Sequence, residues 1–441
     1  MPDRDPRFAD HHASLSKQAA LFESNRCLYC FDAPCMGACP THIDVPTFIK
    51  KIASGNRVGS ARTILDANVL GASCSRACPV EVLCEGACVL HAHHQQPIRI
   101  GLLQRYAMEG YHEQALPLPF VPAPETGKRV ALIGAGPASL SCAAELRRRG
   151  IAATIYDARA LPGGLNTHGI AEYKLPYGVA LHEVELIVAL GVAIESGVQV
   201  DAAKLTEIEE SHDAVFIGVG LGEIHHMGVR GEGLEGVTDA LELIAAYKSG
   251  ALAAVSGRVV VVGAGNTAID AAIAAKRLGA EDVTIVYRRG IEHMSAFSSE
   301  YAHALMEGAG FEWYAQPIAI EGEGRVTGLT VQRMSVLEDG SLVAIAGAVS
   351  TMPADMVVLA IGQVSHTHFL EDRVLTQRGR IVTDRTTGQT SNAKYFAGGD
   401  CVNGGREVVD AVADGKRAGI AMAALLLGTP NASGDALHAH P

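Results

Sequence analysis

The chain has 441 residues, about three domains at roughly 150 residues each. It carries 36 Lys and Arg against 48 Asp and Glu, a net charge of −12, with 19% charged and 48% apolar residues. That balance fills a sizeable core and has the wrong sign for neutralising phosphates, which excludes nucleic-acid binding.

The N-terminus, Met1-Pro-Asp-Arg-Asp-Pro-Arg7, is polar and mixed in charge with no apolar run behind it, so no secretory signal is expected. The apolar stretch Ala418–Leu427 is about half the ~20 residues that cross a bilayer. A cytoplasmic protein without a membrane span is the expectation. Eight of the ten cysteines fall between Cys27 and Cys88, and in a reducing compartment such a cluster reads as metal ligation rather than disulfides. Short helical patterns, Val45–Ala53 and Ala61–Ala67, accompany them. The segment ends in the proline-rich run Leu116-Pro-Leu-Pro-Phe-Val-Pro-Ala-Pro-Glu125, a stiff linker or a wrapped strap.

From Arg129 the pattern becomes strand, glycine loop, helix, strand. Val130–Ile133 leads into Gly134-Ala-Gly136-Pro137-Ala138-Ser139, a helix follows to Arg149, Gly150 stops it, and Ala153–Tyr156 ends on Asp157. The same grammar recurs 129 residues later: Val259–Val262, then Gly263-Ala-Gly265-Asn266-Thr267-Ala268, a helix to Leu278, Gly279, and Val283–Val286. The last segment has a strand-like Lys394–Ala397, then Gly398-Gly399-Asp400, then a helical stretch from about Arg406 to Leu427. It resembles the closing piece of the first unit. Two apolar strands ending on glycine, Ala214–Gly218 and Val357–Gly362, mark the crossings, so the second unit is expected to be inserted in the first.

In the first unit Gly134 makes the tight turn and Gly136 admits a pyrophosphate to the helix N-terminus. Asp157, 23 residues beyond Gly134, ends the second strand where a carboxylate accepts ribose hydroxyls. Ser139 replaces the third glycine. Asp400 points to a flavin dinucleotide, whose ribityl chain and pyrophosphate need a second contact; a turn cap is its plainer role. The helix that begins near Glu407-Val408-Val409 would aim its positive end at reduced flavin. The second unit has Tyr287-Arg288-Arg289 where the first has Asp157, and a guanidinium there suits the 2′-phosphate of NADPH. A surface arginine pair is the alternative.

Flavin beside nicotinamide implies hydride transfer, which needs no side-chain acid or base. Cys142 and Cys401 are isolated, so a thiol relay is disfavoured and Cys142 reads as a core residue. The outlet is then the N-terminal segment. Cys27, Cys30, Cys35 and Cys39-Pro40 give C-x2-C-x4-C-x3-C-P, close to a ferredoxin run, and Cys74, Cys78-Pro79, Cys84 and Cys88 form a second set. Zinc is the rival, but zinc carries no electrons. His91, His93 and His94 read as solvated loop residues.

These residues resemble dihydropyrimidine dehydrogenase. The likeness rests on Cys27-Leu-Tyr-Cys-Phe-Asp-Ala-Pro-Cys-Met-Gly-Ala-Cys-Pro40, Leu70–Pro79, Leu83–Cys88 and Ile98–Gln104, and the two nucleotide units extend it over nearly the whole chain. It implies one 4Fe-4S cluster on Cys27, Cys30, Cys35 and Cys88, and another on Cys39, Cys78, Cys84 and Gln104. Counting alone makes Cys74 the natural eighth ligand. The resemblance also implies flavin contacts by Gly164, Leu165 and Lys174, and by Glu407, Val408 and Val409. It implies NADH, whereas Arg288 and Arg289 resemble NADPH readers, and Ser295 stands where another basic contact is expected. The glutamate synthase small subunit shares this architecture and tends to carry Glu at the position of Gln104.

The expected fold is α/β: a helical bis-iron–sulfur domain over 1–125, an FAD domain over 126–235 and 365–441, and an NAD(P)H domain over 236–364. The expected function is electron input, in which NAD(P)H reduces FAD and two 4Fe-4S clusters pass electrons out. By resemblance the partner, in a hetero-oligomer, is an FMN-containing subunit with further iron–sulfur clusters that reduces uracil or thymine. The alternative is an NADPH-oxidising donor of the glutamate synthase small-subunit type. A redox-responsive scaffold and a stand-alone flavin oxidoreductase are the other rivals.

Overall fold

The computed structural model describes residues 5–430. The chain forms two compact units, one of residues 11–167, 175–223 and 364 onward, the other of residues up to Asp10, 168–174 and 224–363.

The first unit opens with helices α1 (Lys17–Asn25), α2 (Pro34–Gly37), α3 (Val45–Ala53), α4 (Arg57–Ala67), α5 (Gly71–Ala77) and α6 (Ile100–His112). Their starts are written locally: the side chains of Ser16, Asp44 and Asn56 accept the N–H of Ala19, Thr47 and Gly59. α3 buries Val45, Phe48, Ile49 and Ile52, one helical stripe. The proline-rich run is a strap. The Tyr111 hydroxyl donates to the Pro117 carbonyl at 2.6 Å, Leu118 is buried, and the Arg148 guanidinium covers the Phe120 ring at 4.3 Å.

The flavin-type module follows as β1 (Arg129–Ile133), α7 (Pro137–Arg148), β2 (Ala152–Asp157), α8 (Leu165–His168), α9 (Tyr177–Val188), β3 (Ala193–Ser196), α10 (Ala202–Ser211) and β4 (Ala214–Ile217). The second unit contributes β5 (Val237–Asp239), α11 (Ala240–Lys248), β6 (Arg258–Val262), α12 (Asn266–Leu278), β7 (Asp282–Tyr287), α13 (Ser298–Met306), β8 (Gly310–Trp313), β9 (Ala315–Glu323), β10 (Arg325–Val336), β11 (Leu342–Pro353) and β12 (Met356–Leu359). The first unit is completed by β13 (Tyr395–Ala397), α14 (Asp400–Asn403) and α15 (Val408–Leu427).

Each unit holds a five-stranded parallel sheet, in order β13-β4-β1-β2-β3 and β5-β12-β6-β7-β8 respectively. Parallel strands need helical crossovers, and the helices after each glycine loop supply them. The second unit adds the antiparallel sheet β9-β10-β11. No helix among the described residues is long and apolar enough to cross a membrane.

Two features depart from the expected boundaries. The N-terminal helices and the flavin-type module share one apolar core, in which Ile64, Leu65 and Leu103 join Leu132, Leu146 and Phe216. The inserted unit runs from 224 to 363 rather than from 236 to 364, and also takes in residues 168–174.

Candidate cofactor sites

In the first glycine loop Gly134 has φ +91°, and a Cβ there would stand 2.6 Å from the Gly218 carbonyl oxygen. Only glycine tolerates both conditions. Gly136 is the N-cap of α7 and brings no side-chain cap, with Pro137 at the first position, so the amides of the first turn, Ala138 included, keep free donors. The loop is braced from outside. Gly163 donates to the Ala135 carbonyl at 2.9 Å, and a Cβ on Gly164 would stand 2.8 Å from the Gly136 Cα. Leu165 begins α8 directly after it. Asp157 accepts the Ala135 N–H at 2.6 Å and the Arg159 N–H at 2.7 Å, which fixes the carboxylate at the end of β2 with lone pairs remaining for hydroxyl donors.

The closing segment supplies the opposite wall. Gly399, φ +77°, precedes Asp400, whose carboxyl is held above the usual range by burial while the Arg406 N–H pulls it down. Glu407 is the N-cap of α15 and its side chain caps nothing, so the amides of Val408 and Val409 begin an open helix N-terminus. Asp414 accepts the Gly399 N–H at 3.0 Å, and α15 approaches α7 so closely that a Cβ on Gly415 would overlap the Ala138 carbonyl. Both were missed in the sequence, although Gly415 and Gly419, two glycines inside one helix, were the available signal. Uncapped amides, a glycine cradle and an acid at each end fit a flavin dinucleotide.

Lys174, expected along the flavin, sits in a buried ion-pair network. It lies in the second unit, where its ammonium pairs with Asp270 at 2.6 Å and Glu300 at 2.7 Å. A lysine this deeply buried needs counter-charges, and the two carboxylates hold its pKa up against burial. Tyr173 donates to Asp270 at 2.8 Å in the same network.

In the second unit Gly263 has φ +127° and faces the Ala360 carbonyl, and Gly265 is an uncapped N-cap of α12. Asn266 accepts the Phe297 N–H at 3.1 Å, Thr267 is exposed, and the Ser295 hydroxyl faces Gly265. Arg288, exposed, and Arg289, half-buried, follow β7, and among the described residues neither guanidinium has a hydrogen bond or ion pair. Two uncommitted guanidinia at the end of the second strand fit a nucleotide phosphate.

The thiols fall into two neighbourhoods. Burial pushes Cys27 up, and burial with the neighbouring Cys27, Cys88 and Cys30 pushes Cys35 up to about 12. Cys78 is raised by a hydrogen bond with the Cys74 thiol and by burial, with Cys39 and Cys84 beside it; Cys84 is raised by burial. Sets of half-buried thiols that resist ionisation suit a soft, positively charged group that takes them as thiolates. Among the described residues no three His, Cys, Asp or Glu side chains converge as a single-ion site. Gln104 is buried and donates its amide N–H to the Gly71 carbonyl at 2.8 Å, which leaves the amide oxygen as its remaining acceptor. Cys74 is also buried, so the structure keeps both candidates for the eighth ligand beside α5.

Residues 4–116 match the family model described as dihydropyrimidine dehydrogenase domain II, 4Fe-4S cluster, and residues 128–415 match pyridine nucleotide-disulphide oxidoreductase. The chain is 33% identical to the glutamate synthase (NADPH) small chain of Escherichia coli K12, over 94% of this chain and 93% of that one. It is 35% identical to the putative oxidoreductase AegA of the same organism, over 94% of this chain and 67% of that one. Among solved structures, FprA of Mycobacterium tuberculosis in complex with NADPH superposes with a TM-score of 0.56 at 19% identity, covering 69% of this chain and 85% of that one. Thioredoxin reductase of T. acidophilum gives 0.55 at 24% identity, covering 68% and 98%. These two neighbours speak to the fold alone.

Proposed function

The chain belongs to the pyridine nucleotide-disulphide oxidoreductase family, carries a match to the 4Fe-4S domain of dihydropyrimidine dehydrogenase ahead of it, and is similar over nearly its whole length to glutamate synthase (NADPH) small chains, and on that footing we propose that it is an NADPH-oxidising electron donor to a partner subunit. The observation that carries this reading is one continuous chain holding an uncapped nucleotide loop in each unit and two groups of thiols upstream.

The flavin supplies the conversion between a two-electron hydride and single electrons. The protein's share is placement. The amides at the start of α7 receive the pyrophosphate, Asp157 takes ribose hydroxyls, and Asp400 closes the far side. The N-terminus of α15 favours negative charge on the reduced ring. Gly263, Gly265 and the two guanidinia of Arg288 and Arg289 hold NADPH, and the relatives named for NADPH support it over NADH. Cys27, Cys30, Cys35 and Cys88 hold one 4Fe-4S cluster, and Cys39, Cys78 and Cys84 with Gln104 hold the other.

The full-length relatives favour a glutamate synthase-type partner. A second reading, a separate FMN subunit that reduces pyrimidines, is favoured by Gln104 and by the match of residues 4–116. Anaerobic titration of the iron-reconstituted chain with NADPH and with NADH, following flavin and cluster absorbance together, tests the proposal. Flavin bleaching by NADPH with cluster signals changing behind it supports the reading. Bleaching with silent clusters would overturn the relay, and no bleaching would leave a scaffold.

A further inference from the structure

Glu183 sits in α9 and is 1% exposed. Its carboxylate accepts the N–H of Ala72 at 2.8 Å and of Ser73 at 3.1 Å, and the Ser73 hydroxyl donates to it as well. Those amides are the second and third of α5. The first amides of a helix have no partner within it and commonly take one from the N-cap side chain. The N-cap of α5 is Leu70, which has nothing to offer. The cap comes instead from a residue 110 positions away in the flavin-type module.

Both ends of this contact lead to a cofactor site. α5 runs to Ala77 and is followed at once by Cys78, whose N–H closes the helix on the Cys74 carbonyl. At 1.5 Å per residue, Ser73 and Cys78 are joined by about 8 Å of rigid helix. On α9 the next residue, Val184, lies 3.7 Å from where a Cβ on Gly163 would stand, and Gly163 is bonded to Ala135 in the first glycine loop. Adjacent residues of one helix therefore stand beside the flavin-side loops, at Val184, and hold the segment that carries a thiol of the second group, at Glu183.

We propose that Glu183 is a positioning residue that sets the register of the helix ending at Cys78 against the flavin-binding loops, and thereby the rate of electron passage between them. The inference rests on the proposed electron-donor function. In that passage each electron lost by the reduced flavin is gained by a cluster, and each hydride from NADPH restores two. Distance governs such a step, whereas hydride transfer to the flavin does not involve α5.

The test uses the full chain with its cofactors and two variants, Glu183→Gln and Ser73→Ala. Glutamine keeps the shape but loses one of the acceptor oxygens that serve three donors; alanine removes one donor and leaves the carboxylate in place. Two readouts are followed: hydrogen exchange of the Ala72 and Ser73 amides, and stopped-flow reduction by NADPH at flavin and cluster wavelengths. In Glu183→Gln the two amides exchange at least ten-fold faster and the cluster phase slows at least ten-fold, with the flavin phase and iron content unchanged. Ser73→Ala moves both readouts in the same direction by a smaller factor. Unchanged cluster rates in both variants overturn the inference, as does equal slowing of both phases with loss of flavin, which would make Glu183 a support of the whole fold. If the clusters of the unsubstituted chain never follow the flavin, the electron-donor reading fails; unchanged amide exchange in Glu183→Gln separately overturns the positioning of α5 by Glu183.

Discussion

The carboxylate of Asp157 accepts the backbone N–H of Ala135 at 2.6 Å, so the acid that ends β2 and the glycine loop that ends β1 are one bonded piece. On the proposed reading, a loss at Asp157 is felt twice, in ribose contacts and in the shape of the loop. Asp157→Asn keeps the volume but gives up the charge and replaces one acceptor oxygen with a donor. Hydrogen bonds to charged groups are each worth about 1.5–3 kcal/mol. Flavin affinity falls at least ten-fold, read by equilibrium dialysis of the bound chromophore.

Gly415 is the point where α15 lies on α7, with the Ala138 carbonyl where a Cβ would go. Backbone carbonyls do not rotate away as a side chain would. Gly415→Ala forces the two helices apart at the flavin wall and costs about 1–3 kcal/mol, in the range of an overpacked core. Thermal unfolding shows the drop, and the variant also releases flavin more readily than the parent.

The guanidinia of Arg288 and Arg289 have no hydrogen bond or ion pair among the described residues, so truncating the two side chains breaks no polar contact. Replacing both with alanine raises the KM for NADPH by about ten- to a hundred-fold, equivalent to roughly 1.4–2.8 kcal/mol, and leaves NADH nearly unchanged. A parallel loss for both nucleotides would show that the guanidinia do not read the 2′-phosphate.

The eighth cluster ligand separates Cys74 from Gln104. If Gln104 ligates iron, Cys74→Ser retains the full iron content, while Gln104→Leu loses cluster signal and also the bond to the Gly71 carbonyl. Cys27→Ser and Cys84→Ser each remove one cluster and leave the other. Iron analysis with spectra of the reduced chain reads all four.

His112 packs edge-on against His182, ring centroids 4.5 Å apart, and its pKa is lowered to about 4. Burial is the main cause, His182 and Arg76 add to it, and Glu109 opposes them. The unfolded chain therefore binds a proton near pH 6.5 that the folded chain refuses until about 4. Stability present above pH 6.5 is lost as pH falls toward 4, by on the order of 3 kcal/mol. Urea unfolding at pH 4.5 and 7.5 measures it, and His112→Phe flattens the difference.

Much of this architecture was legible in the chain because its signals are local. A β-branched run, a Gly-Ala-Gly turn and a helix that stops on glycine fix a βαβ unit within thirty residues, and both units formed over the expected stretches. Cysteine spacing likewise pointed to the 4Fe-4S domain that residues 4–116 match. The antiparallel sheet β9-β10-β11 was not foreseen: β11 carries exposed Val343, Ile345 and Val349, so no polar and apolar alternation marks it as a half-buried strand.

Other features belong to pairs of distant residues and no local pattern encodes them. Ser139 stands where a third glycine was expected, and the small residue is supplied by Gly218, where a Cβ would meet the Ser139 hydroxyl. Lys174 follows a flavin-like motif, yet its charge is settled by Asp270 and Glu300, about a hundred residues further along the chain. Glu183 reads as one acid in an amphipathic helix until the fold brings Ala72 and Ser73 to it. The sequence by itself determined the two nucleotide-binding units and their order, because those depend on dihedral preference and chemistry held within short stretches. Tertiary structure alone decided which buried charge meets which partner, because burial makes an unpaired charge costly and only the packed chain says what lies within reach.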